Sequence, residues 1–166
     1  LPRLADPVLT RLHAELPALL IVGPRASGKT TTALRLARAV VRLDREAEAV
    51  AFRADPDSAL RGLEEPVLLD EWQAVPGVLG AVKRAIDADP RPGRFLLTGS
   101  VHADLEHETW PGTGRVVRLT LHGMTVRERL GRTEHRSPLD RITEGEPPVP
   151  QELPDLREYI EHALVS

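Results

Sequence analysis

The sequence predicts an α/β fold in which a mostly parallel sheet of about five strands lies between two helical layers. Three observations carry that expectation. Short apolar runs recur at Ala18 to Val22, Pro66 to Leu69 and Arg94 to Leu97, without the alternation that marks a half-solvated strand. Segments with apolar residues at helical spacing separate them, and strands alternating with helices assemble as a parallel sheet with right-handed crossovers. The first apolar run opens directly onto Gly23-Pro24-Arg25-Ala26-Ser27-Gly28-Lys29-Thr30, a glycine-bounded loop that itself leads into a helical pattern.

Asp6-Pro7 signals the first helix, with Asp6 as N-cap, Pro7 at the first helical position, and Val8, Leu9, Leu12 and Leu16 along one side until Pro17. The first strand and its loop follow, then a helix expected over Thr31 to Val40 and a second strand near Val40 to Leu43, its end marked by Asp44. Arg45 to Ala54 reads as a helix, and Asp55-Pro56 caps another that Gly62 stops. Pro66 to Glu71 is a buried strand ending in two carboxylates. After Pro76, Val78, Leu79, Val82 and Ile86 fall at helical spacing, and Pro90-Arg91-Pro92-Gly93 turns the chain into a strand from Arg94 to Ser100 that ends in hydroxyls.

Beyond Val101 the signals thin. Asp104 to Thr109 reads as a helical turn, Pro111 to Gly114 as a loop, and Arg115 to His122 alternates as a fifth strand would. Thr125-x-x-Glu128 is a capping box for a short helix through Leu130. The expected organisation is thus a domain over 1–130, a proline-rich linker or loop over 131–154, and over 155–166 the start of a helix whose Leu156, Tyr159, Ile160, Ala163 and Leu164 form an apolar stripe. The chain begins at Leu1, which reads as part of a longer protein, and the stripe is expected to face a further C-terminal domain.

Composition narrows the function. With 28% charged residues and a net charge of -3 in 166 residues, this is an ordinary soluble composition with no basic excess to indicate nucleic acid. The absence of cysteine removes disulfides, thiolate metal sites and cysteine nucleophiles together. No apolar run reaches the length of a membrane span; a cytoplasmic location is expected instead from the ATP dependence that the glycine-bounded loop implies.

The loop fits the G-x-x-x-x-G-K-[ST] pattern of a phosphate-binding loop. Such a loop turns its N–H groups toward a polyphosphate, and Gly23 and Gly28 are expected to supply backbone dihedrals that a Cβ would forbid. Pro24, Arg25, Ala26 and Ser27 complete the cradle, Lys29 places a point charge at the β- and γ-phosphates, and Thr30 offers a hydroxyl to Mg²⁺, with Thr31 in the same first turn of a helix whose positive end faces the anion. Asp70 stands at the carboxyl end of a parallel strand, where a second ligand for Mg²⁺ belongs, and Glu71 is placed to polarise the attacking water. The bland alternative is that these two carboxylates only cap the next helix. A helix, a strand and further helix separate Lys29 from Asp70, which favours insertion of the Arg94 to Ser100 strand between the two motif strands; Thr98 or Ser100 would then sense the γ-phosphate.

These pieces together make the chain resemble AAA+-type P-loop ATPases, of the bacterial and archaeal family whose module precedes a C-terminal domain of unknown function. The resemblance rests on Gly23 to Thr30, Leu69-Asp70-Glu71-Trp72-Gln73, Leu96 to Ser100, and Gly114-Arg115 followed by Leu119 to Glu128. It implies a three-layer P-loop NTPase of the inserted-strand, catalytic-glutamate type, with ATP and Mg²⁺ as cofactors. Arg115 is then a nucleotide-facing or subunit-facing arginine, or a salt-bridged structural one. His102, His107, His122 and His135 share no ligand spacing and are expected in solvated loops; Trp72 is expected under the next helix.

The leading functional expectation is Mg²⁺-dependent ATP hydrolysis by Glu71, Lys29, Thr98 and Ser100. The alternative is a nucleotide-gated switch with negligible turnover, and a P-loop kinase would need an acceptor site or lid that has no signature here. Partners are expected to be ATP, the C-terminal domain, and a second copy or a client protein. Slow turnover is expected of these residues alone, since charge on the transferred phosphoryl group is often met by an arginine from a neighbour.

Overall fold

The computed structural model describes residues 1–100, 115–131, 133, 138–146, 155, 157 and 160. In chain order these form α1 (Asp6–Glu15), β1 (Ala18–Gly23), α2 (Lys29–Ala33), β2 (Ala39–Arg42), α3 (Glu46–Ala54), α4 (Pro56–Arg61), β3 (Val67–Asp70), a 3₁₀ turn (Trp72–Ala74), α5 (Gly77–Ala88), β4 (Phe95–Ser100), β5 (Val116–Thr120), α6 (Val126–Arg129) and α7 (Pro138–Thr143). They divide into two compact units, Ala5–Gly123 and Leu1–Leu4 with Met124–Ser166.

In the larger unit all five strands run parallel in the order β2-β3-β4-β1-β5. The inserted strand is therefore β4, pairing with β1 from Ala18↔Phe95 to Gly23↔Ser100 and with β3 from Val67↔Phe95 to Leu69↔Leu97. The pleat sorts the apolar runs into two cores. Leu20, Val22, Leu69 and Leu97 face Phe52 of α3, Leu60 of α4 and Val78, Val82 and Ile86 of α5. Leu19, Ile21, Leu68 and Leu96 face the other way, onto Leu9 of α1 and Ala33 of α2. Both faces of the central strands are covered, which is why their runs lack alternation. Trp72 lies in the first of these cores with Val75 and Val78, as expected.

Several elements depart from expectation. The helix after the loop is only Lys29–Ala33, because the chain tightens to i−3 hydrogen bonds at Arg35 and Leu36 and must reach β2 at Ala39. The run Thr30-Thr31-Thr32 adds little intrinsic helix preference to resist this. Asp6 does not cap α1; it is the first helical residue, and its carboxylate pairs with Arg35 at 2.6 Å. The cap at α4 holds, with the Ser58 N–H donating to Asp55.

In the smaller unit the predicted capping box forms: Thr125 and Glu128 exchange side-chain and backbone hydrogen bonds around α6. Within the stretch whose prolines predict a loop, α7 forms with Pro138 at its first residue. Of the expected terminal helix, Arg157 and Ile160 are helical; Leu156, Tyr159, Ala163 and Leu164 lie outside the described residues, as do the turn over 104–109, the loop over 111–114, Trp110, His102, His107 and His135. Among the described residues no helix is long and apolar enough to cross a membrane.

Glu128 is the pivot of this unit. One carboxylate oxygen accepts from Arg3 Nε at 2.9 Å and from the Leu4 N–H at 2.8 Å; the other accepts from the Thr125 N–H at 2.7 Å. Burial pushes the Glu128 carboxyl up, but the N–H groups of Thr125 and Leu4 and the Arg3 guanidinium outweigh it and hold the group below its ordinary value of 4.5. A depressed folded-state pKa contributes stability that is present above the unfolded value and lost as pH falls through the folded one. Glu128→Ala is therefore expected to destabilise the chain by about 3 kcal/mol at pH 7. Urea titrations followed by circular dichroism should show that difference shrinking as the pH is taken below 4.5, the ordinary value of the carboxyl.

Candidate nucleotide-binding site

The loop is shaped by two kinds of constraint. A Cβ on Gly23 would lie 2.1 Å from the Leu121 carbonyl oxygen, because the segment leaving β5 presses against the end of β1 and donates the Leu121 N–H to Val22 at 2.7 Å. Gly23 is thus fixed by clearance and not by a left-handed dihedral, a correction to the sequence argument. Gly28, at φ 86°, does occupy the left-handed region, and so does Ala26, at φ 60°, which nothing in its residue type announced. The Ser27 N–H reaches the Pro24 carbonyl at 3.3 Å, and Ser27 itself is buried.

Lys29 is 6% exposed, and its Nζ donates to the carbonyls of Gly23 at 3.1 Å and Pro24 at 2.8 Å. The ammonium is thereby held at the neck of the loop. Since α2 is a single short turn, the attraction for an anion falls to Lys29 and the loop N–H groups more than to a helix dipole.

Across the sheet, Asp70 ends β3 and is buried. Its Oδ1 accepts from Thr30 Oγ1 at 2.7 Å and also from Thr98 Oγ1, so one carboxylate oxygen joins α2, β3 and β4. Thr98 is fully enclosed beneath this carboxylate; Ser100, two residues further along β4, is the hydroxyl that reaches the cleft. Glu71 adopts φ 54°, ψ 50°, a left-handed kink that starts the 3₁₀ turn, and its Oε2 accepts from Gln73 Nε2.

A cleft of about 880 Å³ opens at this end of the sheet, lined by Gly23, Pro24, Arg25, Lys29, Glu71 and Ser100, with Asp44, Gln73 and Ala74. Its volume falls within the range of small-molecule sites, and it lies at the carboxyl ends of parallel strands, where open α/β sheets bind ligands. Thr31 is exposed on α2 and does not line the cleft among the described residues. Asp44 and Gln73 were not anticipated as lining; the available signal for Asp44 was its place just past the end of β2. Arg115 sits at the other end: the neighbouring Val116 pairs with Ala18, the first residue of β1, and Arg115 Nε pairs with Asp87 at 2.7 Å. Of the readings open for Arg115, the salt-bridged one holds, and the nucleotide-facing one is removed.

The donor set suits Mg²⁺. Thr30 and Asp70 bring two protein oxygens together, and Mg²⁺ prefers one or two of these alongside phosphate and water. Thr30 donates its proton to Asp70, which leaves the hydroxyl lone pairs for a cation. An anion-cradling loop with a buried lysine likewise suits a polyphosphate.

A family model described as an AAA domain matches residues 15–130. The chain belongs to the AAA domain family. It is 35% identical over 124 residues to an uncharacterized protein of Mycobacterium bovis, and equally to one of Mycobacterium tuberculosis. Each match covers 72% of this chain and 28% of the relative, so the chain spans under a third of the length of these curated relatives. Membership in the family makes this an AAA-type, nucleotide-binding, ATPase-like module.

The clearance at Gly23 yields a direct test. Gly23→Ala must displace either the loop or the Leu121 carbonyl, and is expected to cost about 2 kcal/mol by overpacking, read as a lowered urea midpoint with an unchanged slope.

Proposed function

We propose that the chain binds ATP with Mg²⁺ in this cleft and hydrolyses it. The observation that carries the reading is a cleft at the carboxyl end of the sheet lined by Gly23, Pro24, Arg25, Lys29, Glu71 and Ser100, with the hydrogen-bonded set Thr30–Asp70–Thr98, which does not itself line the cleft, directly beside Lys29 and Glu71 in the chain. In this reading the backbone from Gly23 to Gly28, with Pro24, Arg25, Ala26 and Ser27 between, cradles the phosphates, and Lys29 exchanges its carbonyl partners for β- and γ-phosphate oxygens. Thr31 continues the cradle into α2 through its backbone. Thr30 and Asp70 would hold Mg²⁺, which when bound neutralises charge across the β- and γ-phosphates. Thr98 fixes the Asp70 carboxylate, and Ser100 faces the terminal phosphate. Glu71 accepts a proton from water as the water oxygen bonds to the γ-phosphorus, and the bond from that phosphorus to the β–γ bridging oxygen breaks to release ADP. We assign this activity to 1–130, with 131–154 as connecting chain and 155–166 leading toward a C-terminal domain.

Lys29→Ala is expected to weaken ATP binding by about 10–100-fold, the loss of one or two charge-assisted hydrogen bonds. Isothermal calorimetry giving wild-type affinity would remove the loop from the site. Glu71→Gln keeps shape and binding but cannot accept the proton, so phosphate release is expected to fall about 10²–10⁴-fold. Turnover near the wild-type rate in that variant would favour a nucleotide-gated switch or place the base elsewhere.

A further inference from the structure

We infer that Gln73 is a positioning residue for Glu71, and that Gly99 is a glycine because the Trp72 indole and the Gln73 amide together occupy the space its side chain would fill. The inference rests on the reading of Glu71 as the base of the proposed hydrolysis. Glu71 stands on a left-handed kink, with no strand partner to fix its side chain, and its carboxylate meets the cleft half-exposed. Two residues on, within the 3₁₀ turn, Gln73 donates from Nε2 to Glu71 Oε2. An ionised carboxylate only accepts, so the amide must present its nitrogen to Glu71 and turn its oxygen away. That orientation is met by β4: a Cβ on Gly99 would lie 2.7 Å from Gln73 Oε1 and 2.6 Å from Trp72 Nε1. Gly99 is extended strand, outside the left-handed region, so clearance for these two side chains is what its lack of a Cβ provides.

The arrangement fastens one oxygen of Glu71 and leaves the other for water. Gln73 Oε1 is buried and makes no hydrogen bond with the described residues, which packing alone would not favour. A leucine or methionine would fill the same volume without burying that oxygen, but could not hold a carboxylate. An isosteric glutamate would repel it.

Single-turnover phosphate release with protein in excess over labelled ATP, alongside calorimetric ATP affinity and thermal midpoints, tests the assignment. Gln73→Met and Gln73→Glu are expected to slow release by about 10²-fold, the cost of a displaced catalytic group, with ATP affinity unchanged and, for Gln73→Met, a thermal midpoint at or above that of the wild type. Gly99→Ala, whose Cβ would meet the buried Trp72 indole as well as the Gln73 amide, is expected to slow release and also to lower the midpoint. In a Glu71→Gln background, Gln73→Met is expected to change nothing further, since the group it positions is already gone. Wild-type release by Gln73→Met, a further loss in the Glu71→Gln background, or a loss confined to ATP affinity would each overturn the inference. Failure of the underlying reading looks different: wild-type protein that binds ATP without releasing phosphate removes the hydrolysis, and the role of Gln73 with it.

Discussion

One oxygen of one carboxylate sets the geometry of the carboxyl end of this sheet. Oδ1 of Asp70 accepts hydroxyl hydrogens from Thr30 and Thr98, so the end of β3 is tied to the start of α2 and to β4 at once. The link works only because β4 lies between β3 and β1 in the sheet. With β3 directly beside β1, Asp70 would have no strand position from which Thr98 could reach it. The strand order is therefore part of the site, and the buried Oδ1 of Asp70 is satisfied because two hydroxyl donors are built around it.

The parts of this fold that could be read from the sequence are those written in periodicity. The runs at 18–22, 67–69 and 95–97 have no polar alternation because helices cover both faces, and their burial is complete. The helix, strand and further helix between Lys29 and Asp70 favoured an inserted strand, and β4 is that strand. The capping box at Thr125 and Glu128 and the Asp55 cap are local hydrogen-bond chemistry, and local chemistry survives translation into structure well.

What stayed illegible was set by contacts between distant segments. Gly23 is a glycine because Leu121 arrives from almost a hundred residues away, a fact no local argument could supply. Helical pattern continued past Ala33, yet α2 stops there to deliver the chain to β2. Arg115 carried motif context on one side and an ion pair on the other, and only the parallel register with β1 places it at the far end of the sheet. Gln73 stands in the sequence only as the last residue of the motif from Leu69, with no role of its own. Its relation to Glu71 depends on the kink between them and on the glycine in β4 below.

The ammonium of Lys29 rests on two carbonyl oxygens of its own loop. Those carbonyls have already stripped much of its water, so an arriving phosphate need not dehydrate a free cation; it must outcompete two neutral acceptors for the same protons. A weakly charged anion gains little from that exchange, whereas adjacent phosphates carrying several negative oxygens gain a great deal. If the cleft holds ATP as proposed, the resting contact acts as a threshold, set by the loop itself, that a polyphosphate passes more readily than a singly charged anion.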